Sequence, residues 1–396
     1  MERSFFRFCL FACVVLFCVT CSRSEKLSDN EFLIEGKISG VEDGAVIMLI
    51  GLDGDGSGFT QDTLKNGRFM FNAEVVSNPQ KMAIISFSEG YPNSEPLSFW
   101  VASGKKTTII GKDKLLHIWE VKSSVPYQKE ENRYANSSRS IIREMAGLNT
   151  EINNLRTKAQ ASSSNDEAIV FNKTADSLGV ISASLKIKEF LSDMDIMSKT
   201  NISPIWIEKM SVIASRLRLS NNYDELRPKA ELLFDKMSEE DKTTPKGYQI
   251  TSYLFPPQVV EIGDDMVDTE FFDGDGNAKH FSDYSGKYLF LNFWSSSCGY
   301  CIMSLPELKE VSENYSENLT VISISLDIDA KWKDAMNKYD MPWVNLRDPK
   351  GYGGLITNYG IGTPYNVIIS PDGKVLDKWM GYGNGYFKSK ATENIK

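Results

Sequence analysis

At 396 residues, with 41% apolar and 24% charged positions, the chain has the size and composition of a globular protein of two or three domains. A formal net charge of −9 supplies no basic footprint and argues against nucleic acid as a partner. Six cysteines are spread unevenly: Cys9, Cys13, Cys18 and Cys21 crowd the first 21 residues, and only Cys298 and Cys301 follow.

Arg3 and Arg7 precede an unbroken apolar run from Phe8 to Val19. Its twelve residues suit the core of an export signal and are too few to span a bilayer. The run ends at Val19-Thr20-Cys21-Ser22, before polar Arg23-Ser24-Glu25-Lys26. Residues 1–21 thereby resemble a bacterial lipoprotein signal, which would make Cys21 the acylated first residue of the mature chain. Cys18 and Thr20 depart from that pattern, where Leu and a small Gly or Ala are usual, so plain secretion is the alternative. Acylation would give lasting membrane attachment. The mature chain would then own two free thiols, both in one motif.

Residues 31–125 read as β structure. Seven short apolar runs, among them Phe32 to Ile38, Ala45 to Ile50, Leu97 to Val101 and His117 to Val121, are separated by turn residues and predict a small sandwich. Asn66-Gly67 between alternating apolar residues predicts a hairpin. Asp53-Gly54-Asp55-Gly56-Ser57-Gly58 and Asp273-Gly274-Asp275-Gly276-Asn277 look like the front of calcium loops. Their twelfth positions are Leu64 and Tyr284 instead of the bidentate Glu such a loop needs, so both read as turns.

From 126 to 250 the apolar period lengthens to three or four residues, as in Ile142, Met145, Leu148, Ile152 and Leu155. Four helices are expected, broken at Ser162-Ser163-Ser164-Asn165, with 238–257 as a polar linker. Their apolar stripes read as packing surface and carry no catalytic constellation. The region 255–396 alternates strands and helices, which implies a mainly parallel sheet with an antiparallel hairpin edge at Tyr365 to Met380.

Within it, strand-like Phe290 to Trp294 stops at Ser295-Ser296-Ser297 and opens into Cys298-Gly299-Tyr300-Cys301 at the start of a helix. Two intervening residues let the sulfurs meet across the first helical turn. The free N–H groups and positive dipole end of that turn favour a thiolate on the first cysteine. Zinc would need four ligands, and the two histidines, His117 and His280, have no ligand-like spacing to the pair. A purely structural bridge across so small a loop would stabilise little. Redox chemistry is the reading the spacing favours.

The motifs Gly286-Lys287-Tyr288, Leu291-Asn292-Phe293-Trp294, Cys298-Gly299-Tyr300-Cys301, Leu305-Pro306-Glu307-Leu308 and Gly362-Thr363-Pro364 together resemble the TlpA/ResA branch of bacterial thiol–disulfide oxidoreductases. The region before them resembles, in general pattern, the β-rich domain of unknown function in Bacteroidetes envelope lipoproteins. The expected architecture is multidomain: an N-terminal all-β sandwich, a central α-helical segment and a C-terminal α/β thioredoxin fold. The resemblance implies Cys298 as attacking nucleophile, Cys301 as resolving thiol and Pro364 as a cis-proline facing the disulfide. It further implies substrate contacts from Thr363, Trp294, Gly299 and Tyr300, with no cofactor. Partners would be protein disulfides and a membrane electron donor, in the cell envelope, with cytochrome c maturation as one use.

Asn292 stands where thioredoxins keep a buried Asp, Ser304 where relatives often carry Glu, and Ser297 where Trp is usual. The group that handles the Cys301 proton is therefore open, with Glu307 a candidate. Rival readings are a thiol peroxidase of AhpC/TSA type, with Ser295 near the motif but no arginine close in sequence, and a surface binding lipoprotein whose dithiol is vestigial.

Overall fold

The computed structural model describes residues 27–52, 60–91 and 96–395. The candidate lipidation site Cys21 and the acidic segment 53–58 lie outside the described residues. Among the described residues, eight strands form the N-terminal unit: β1 (Glu31–Ile38), β2 (Val46–Gly51), β3 (Thr60–Thr63), β4 (Arg68–Glu74), β5 (Gln80–Ile85), β6 (Leu97–Val101), β7 (Lys106–Gly111) and β8 (Glu120–Ser123). They make two four-stranded sheets, in the orders β4-β1-β7-β8 and β3-β2-β5-β6. Period-2 alternation along β1 sends Phe32, Ile34 and Ile38 inward, where they meet Ile47, Leu49, Phe99 and Ile109 from both sheets.

Asn66 and Gly67 form the expected two-residue turn, both at positive φ, with Lys65 and Arg68 exchanging backbone hydrogen bonds. A Cβ on Gly67 would stand 2.3 Å from the Ile38 carbonyl oxygen, so the position accepts only glycine. The arms of this turn belong to different sheets: β3 pairs with β2, whereas β4 pairs with β1. The hairpin motif thus makes a corner of the sandwich. His117, expected in a strand, lies in a 3-10 turn, Leu116–Ile118, ahead of β8.

The central unit begins with two long helices, α1 (Pro126–Ala161) and α2 (Asn165–Lys199), joined by the Ser162–Ser164 break. Next come α3 (Pro204–Leu219), α4 (Arg227–Phe234), α5 (Glu239–Lys242) and α6 (Pro245–Leu254). Side-chain caps start several of them: Ser164, Ser203 and Thr244 accept N–H groups of Glu167, Trp206 and Gly247, and Pro204 and Pro245 occupy the first turn. The core gathers Tyr134, Phe190, Met194, Trp206, Met210 and Ile250.

Residues 238–257 are not the expected polar linker. They contain α5 and α6, and α6 buries Gly247, Ile250, Tyr253 and Leu254 against the same core. Capping by Ser238 and Thr244 lets a charged, proline-containing stretch enter helix, and its apolar face is too short to stand out as a period. Among the described residues, no helix is long and apolar enough to cross a membrane.

The C-terminal unit is built on β9 (Phe271–Phe272), β10 (Ala278–Lys279), β11 (Tyr288–Trp294), β12 (Leu319–Ser325), β13 (Val344–Arg347), β14 (Tyr365–Ile369) and β15 (Val375–Met380), in the order β10-β9-β13-β12-β11-β14-β15. Strands β11, β12 and β13 run parallel; β14 and β15 form the antiparallel edge. Helices α7 (Gly299–Asn314), α8 (Asp329–Lys338), α9 (Ile356–Tyr359) and α10 (Tyr386–Asn394) complete it. This is a thioredoxin-like α/β domain. Leu289, Leu291 and Phe293 of β11 face one core layer, and Phe290 and Trp294 face the layer beneath α7, so the central strand is covered on both sides. Asp273 closes the β9–β10 turn by accepting the N–H groups of Asp275 and Asn277, which commits its carboxylate to the turn.

Candidate active site

Three serines carry the chain from β11 into α7. The Ser296 N–H donates to Asp327 Oδ2 at 2.7 Å, the hydroxyls of Ser295 and Ser297 pair at 2.8 Å, and the Cys298 N–H reaches the Ser295 carbonyl at 3.1 Å. Small side chains that bond locally make this sharp strand-to-helix turn possible. Cys298 is the N-cap of the 16-residue helix α7, and its Sγ accepts the Cys301 N–H at 3.2 Å.

Cys298 and Cys301 form a disulfide with their Cα atoms 5.2 Å apart. The two sulfurs differ in exposure. Cys301 is 1% exposed, in an apolar cluster with Trp294, Trp332 and Ala335, whereas Cys298 is half-buried and Gly299 and Tyr300 beside it are exposed. Facing Cys298 is the loop before β14, where the Thr363–Pro364 bond is cis and the Thr363 carbonyl oxygen stands 3.5 Å from Sγ. The structure therefore gathers Cys298, Cys301, Thr363, Pro364, Gly299 and Tyr300 at one end of the sheet.

Trp294 is the exception. Expected as a substrate contact, it is wholly buried beneath Cys301 and reaches no surface. The pleat decides this: Trp294 shares the inward face of β11 with Phe290 and Asn292, and α7 covers that face.

Glu307 is committed elsewhere. Its carboxylate accepts the N–H groups of Gly385 and Lys388 at 2.9 Å each, capping the start of α10. Burial first, and then Glu307 itself, push the Tyr382 hydroxyl beside it up to about 12. Beneath the motif, Asn292 donates to Asn366 Oδ1 at 2.8 Å and accepts from Ser323, which accepts the Trp343 indole N–H at 2.8 Å. A neutral chain of hydrogen bonds thus crosses β12, β11 and β14 where thioredoxins hold a carboxylate. Asp327 and Asn366 carried no signal in the sequence, because each acts through a partner tens of residues away.

A family model described as AhpC/TSA matches residues 262–378. Thiol-disulfide oxidoreductase ResA of Bacillus thuringiensis subsp. konkukian (strain 97-27) is 31% identical over 132 residues, covering 33% of this chain and 75% of that protein. The chain belongs to the ResA-like thiol–disulfide oxidoreductases. Thioredoxin-like protein YneN of Bacillus subtilis (strain 168) is 26% identical over 107 residues, which cover 26% of this chain and 58% of YneN. Among solved structures, a thiol-disulfide oxidoreductase from Bacteroides fragilis NCTC 9343 aligns at 26% identity and a TM-score of 0.31, over 33% of this chain and 98% of that one. Each match covers about a third of this ResA-like protein or less.

Proposed function

We propose that this protein exchanges two electrons between its Cys298–Cys301 dithiol and disulfides of other polypeptides in the cell envelope, working as a reductant. One observation carries the reading: an accessible sulfur at a helix start is bonded to a buried one, and a backbone carbonyl faces the accessible sulfur. In the reduced protein the Cys298 thiolate attacks one sulfur of the substrate disulfide. That S–S bond breaks, and the departing sulfur leaves with the electron pair and takes up a proton. Cys301 then gives up its proton and attacks Cys298 Sγ; the mixed S–S bond breaks, and the second substrate sulfur leaves as a thiolate and takes up a proton from solvent. The products are two substrate thiols and the Cys298–Cys301 disulfide, which a membrane-bound dithiol donor must reduce for another turnover.

In this scheme the helix N-terminus and the Cys301 N–H stabilise the Cys298 anion. Exposed Gly299 and Tyr300 and the backbone of Thr363 and Pro364 border the path of an incoming strand. The apolar run behind Arg3 and Arg7 supports export, and Cys21 is the proposed anchor. Replacing Cys301 by Ser stalls the reaction at the mixed disulfide, so Cys301→Ser isolated from cells should carry covalently bound, reductant-sensitive partners. Absence of any such adduct, with no reduction of a disulfide-bonded peptide by the wild type, would sink the proposal.

The description of the matching family favours a second reading, a thiol peroxidase. Peroxide consumption that survives Cys301→Ser, without exchange on peptide disulfides, would select it.

A further inference from the structure

The loop that faces Cys298 is held from outside the thioredoxin-like domain. Helix α6 of the central unit lies against the 3-10 turn Gly351–Gly353, which leads toward that loop. The Ser252 hydroxyl donates to the Gly353 carbonyl at 2.6 Å, and the Lys350 ammonium sits 5.4 Å from the Tyr248 ring centre. The backbones approach so closely that a Cβ on Gly353 would stand 2.2 Å from Gln249 N and Tyr248 C. On the other side of the turn, buried Asp348 accepts the N–H groups of Lys350 and Leu355 at 2.9 and 2.8 Å.

Two side chains pass this docking on to the redox site. The Tyr352 hydroxyl is 3.5 Å from Thr363 Oγ1. Ile361, two residues before Thr363, leaves its own domain's core and packs against the helical core that contains Ile250 and Tyr253.

We propose that the central helical unit is a positioning element of the redox site, acting through Tyr352 and Ile361 on the loop that holds the Thr363 carbonyl against Cys298. This rests on the exchange reading above. The carbonyl accepts from a thiol and repels a thiolate, so its placement sets both the approach to Cys298 and the proton affinity of its sulfur. Releasing the loop should slow attack on a disulfide while letting Cys298 ionise at lower pH. A general loss of stability does not produce that pair of opposite changes.

The test uses the full chain and two readouts: the rate of mixed-disulfide formation with a disulfide-bonded peptide, and the pH profile of Cys298 alkylation after reduction. Ile361→Ala should slow exchange about tenfold, the scale of a modest misplacement near reacting atoms. Its alkylation midpoint should move to lower pH. Tyr352→Phe, which deletes one hydroxyl and leaves packing intact, should shift both readouts in the same directions by less. Met194→Ala, in the same helical core but on α2, should lower the melting temperature and leave both readouts at wild-type values.

Wild-type rate and midpoint in Ile361→Ala and Tyr352→Phe would overturn the proposal and leave the exchange reading standing. So would changes no larger than those of Met194→Ala. Should Ile361→Ala fail to fold, Tyr352→Phe decides alone. A wild type that does not exchange at all overturns the exchange reading, and the proposal with it.

Discussion

Cys298 Sγ stands between two backbone groups of opposite character: the Cys301 N–H at 3.2 Å and the Thr363 carbonyl oxygen at 3.5 Å, the latter 65 residues along the chain. The donor favours an anion on the sulfur and the acceptor favours a thiol.

The difference in exposure between the two cysteines predicts their order of labelling. In the reduced native protein, iodoacetamide should modify Cys298 while Cys301, 1% exposed, reacts only after denaturation. Peptide mass spectrometry reads this directly. Preferential labelling of Cys301 would reverse the proposed roles.

Glu307 should behave as a helix cap. Glu307→Ala removes two charge-assisted hydrogen bonds at the start of α10 and should cost about 2–3 kcal/mol in denaturant unfolding. Its exchange rate and the pH profile of that rate should match the wild type. A shifted profile would restore Glu307 as the proton-handling group.

The buried asparagine pair should be strongly non-additive. Asn366→Leu leaves the Asn292 amide without its acceptor and should cost about 2–3 kcal/mol. In the double variant Asn292→Leu/Asn366→Leu the loss should be smaller than the sum of the single losses. Additive losses would mean that the pair does not act as a unit.

Asp193 makes stability depend on pH. Burial outweighs the Lys209 ammonium 3.7 Å away and raises its carboxyl from 3.8 to about 6 in the folded protein. Below pH 3.8 the group is protonated whether folded or not, and it adds nothing. As pH rises toward 6, the unfolded chain releases the proton that the folded chain retains, so stability falls; above 6 the deficit is constant. Relative to Asp193→Asn, the wild type should lose about 2–3 kcal/mol between pH 4 and pH 7. Parallel stability curves for the two proteins would contradict this.

Strand β12 and the CxxC helix were legible in the residue pattern because their signals are local: an apolar run with turn residues at its ends, and two cysteines one helical turn apart. The Asn66–Gly67 turn was equally legible, yet its neighbours could not reveal that β3 and β4 join different sheets, since strand pairing is settled by partners far along the chain. The same limit hid α6 within 238–257, whose burial depends on the core it meets.

By itself, the order of residues determined the chemistry available: two thiols at a helix start, an Asn in place of a buried Asp, and a Thr-Pro dipeptide before an apolar strand. Tertiary structure decided which groups those atoms face. Trp294 went under the dithiol, Glu307 went to a distant helix, and the central helices came to rest against the loop that faces Cys298. Chain proximity sets turns and periods, whereas contacts across 65 residues exist only once sheets and helices have packed.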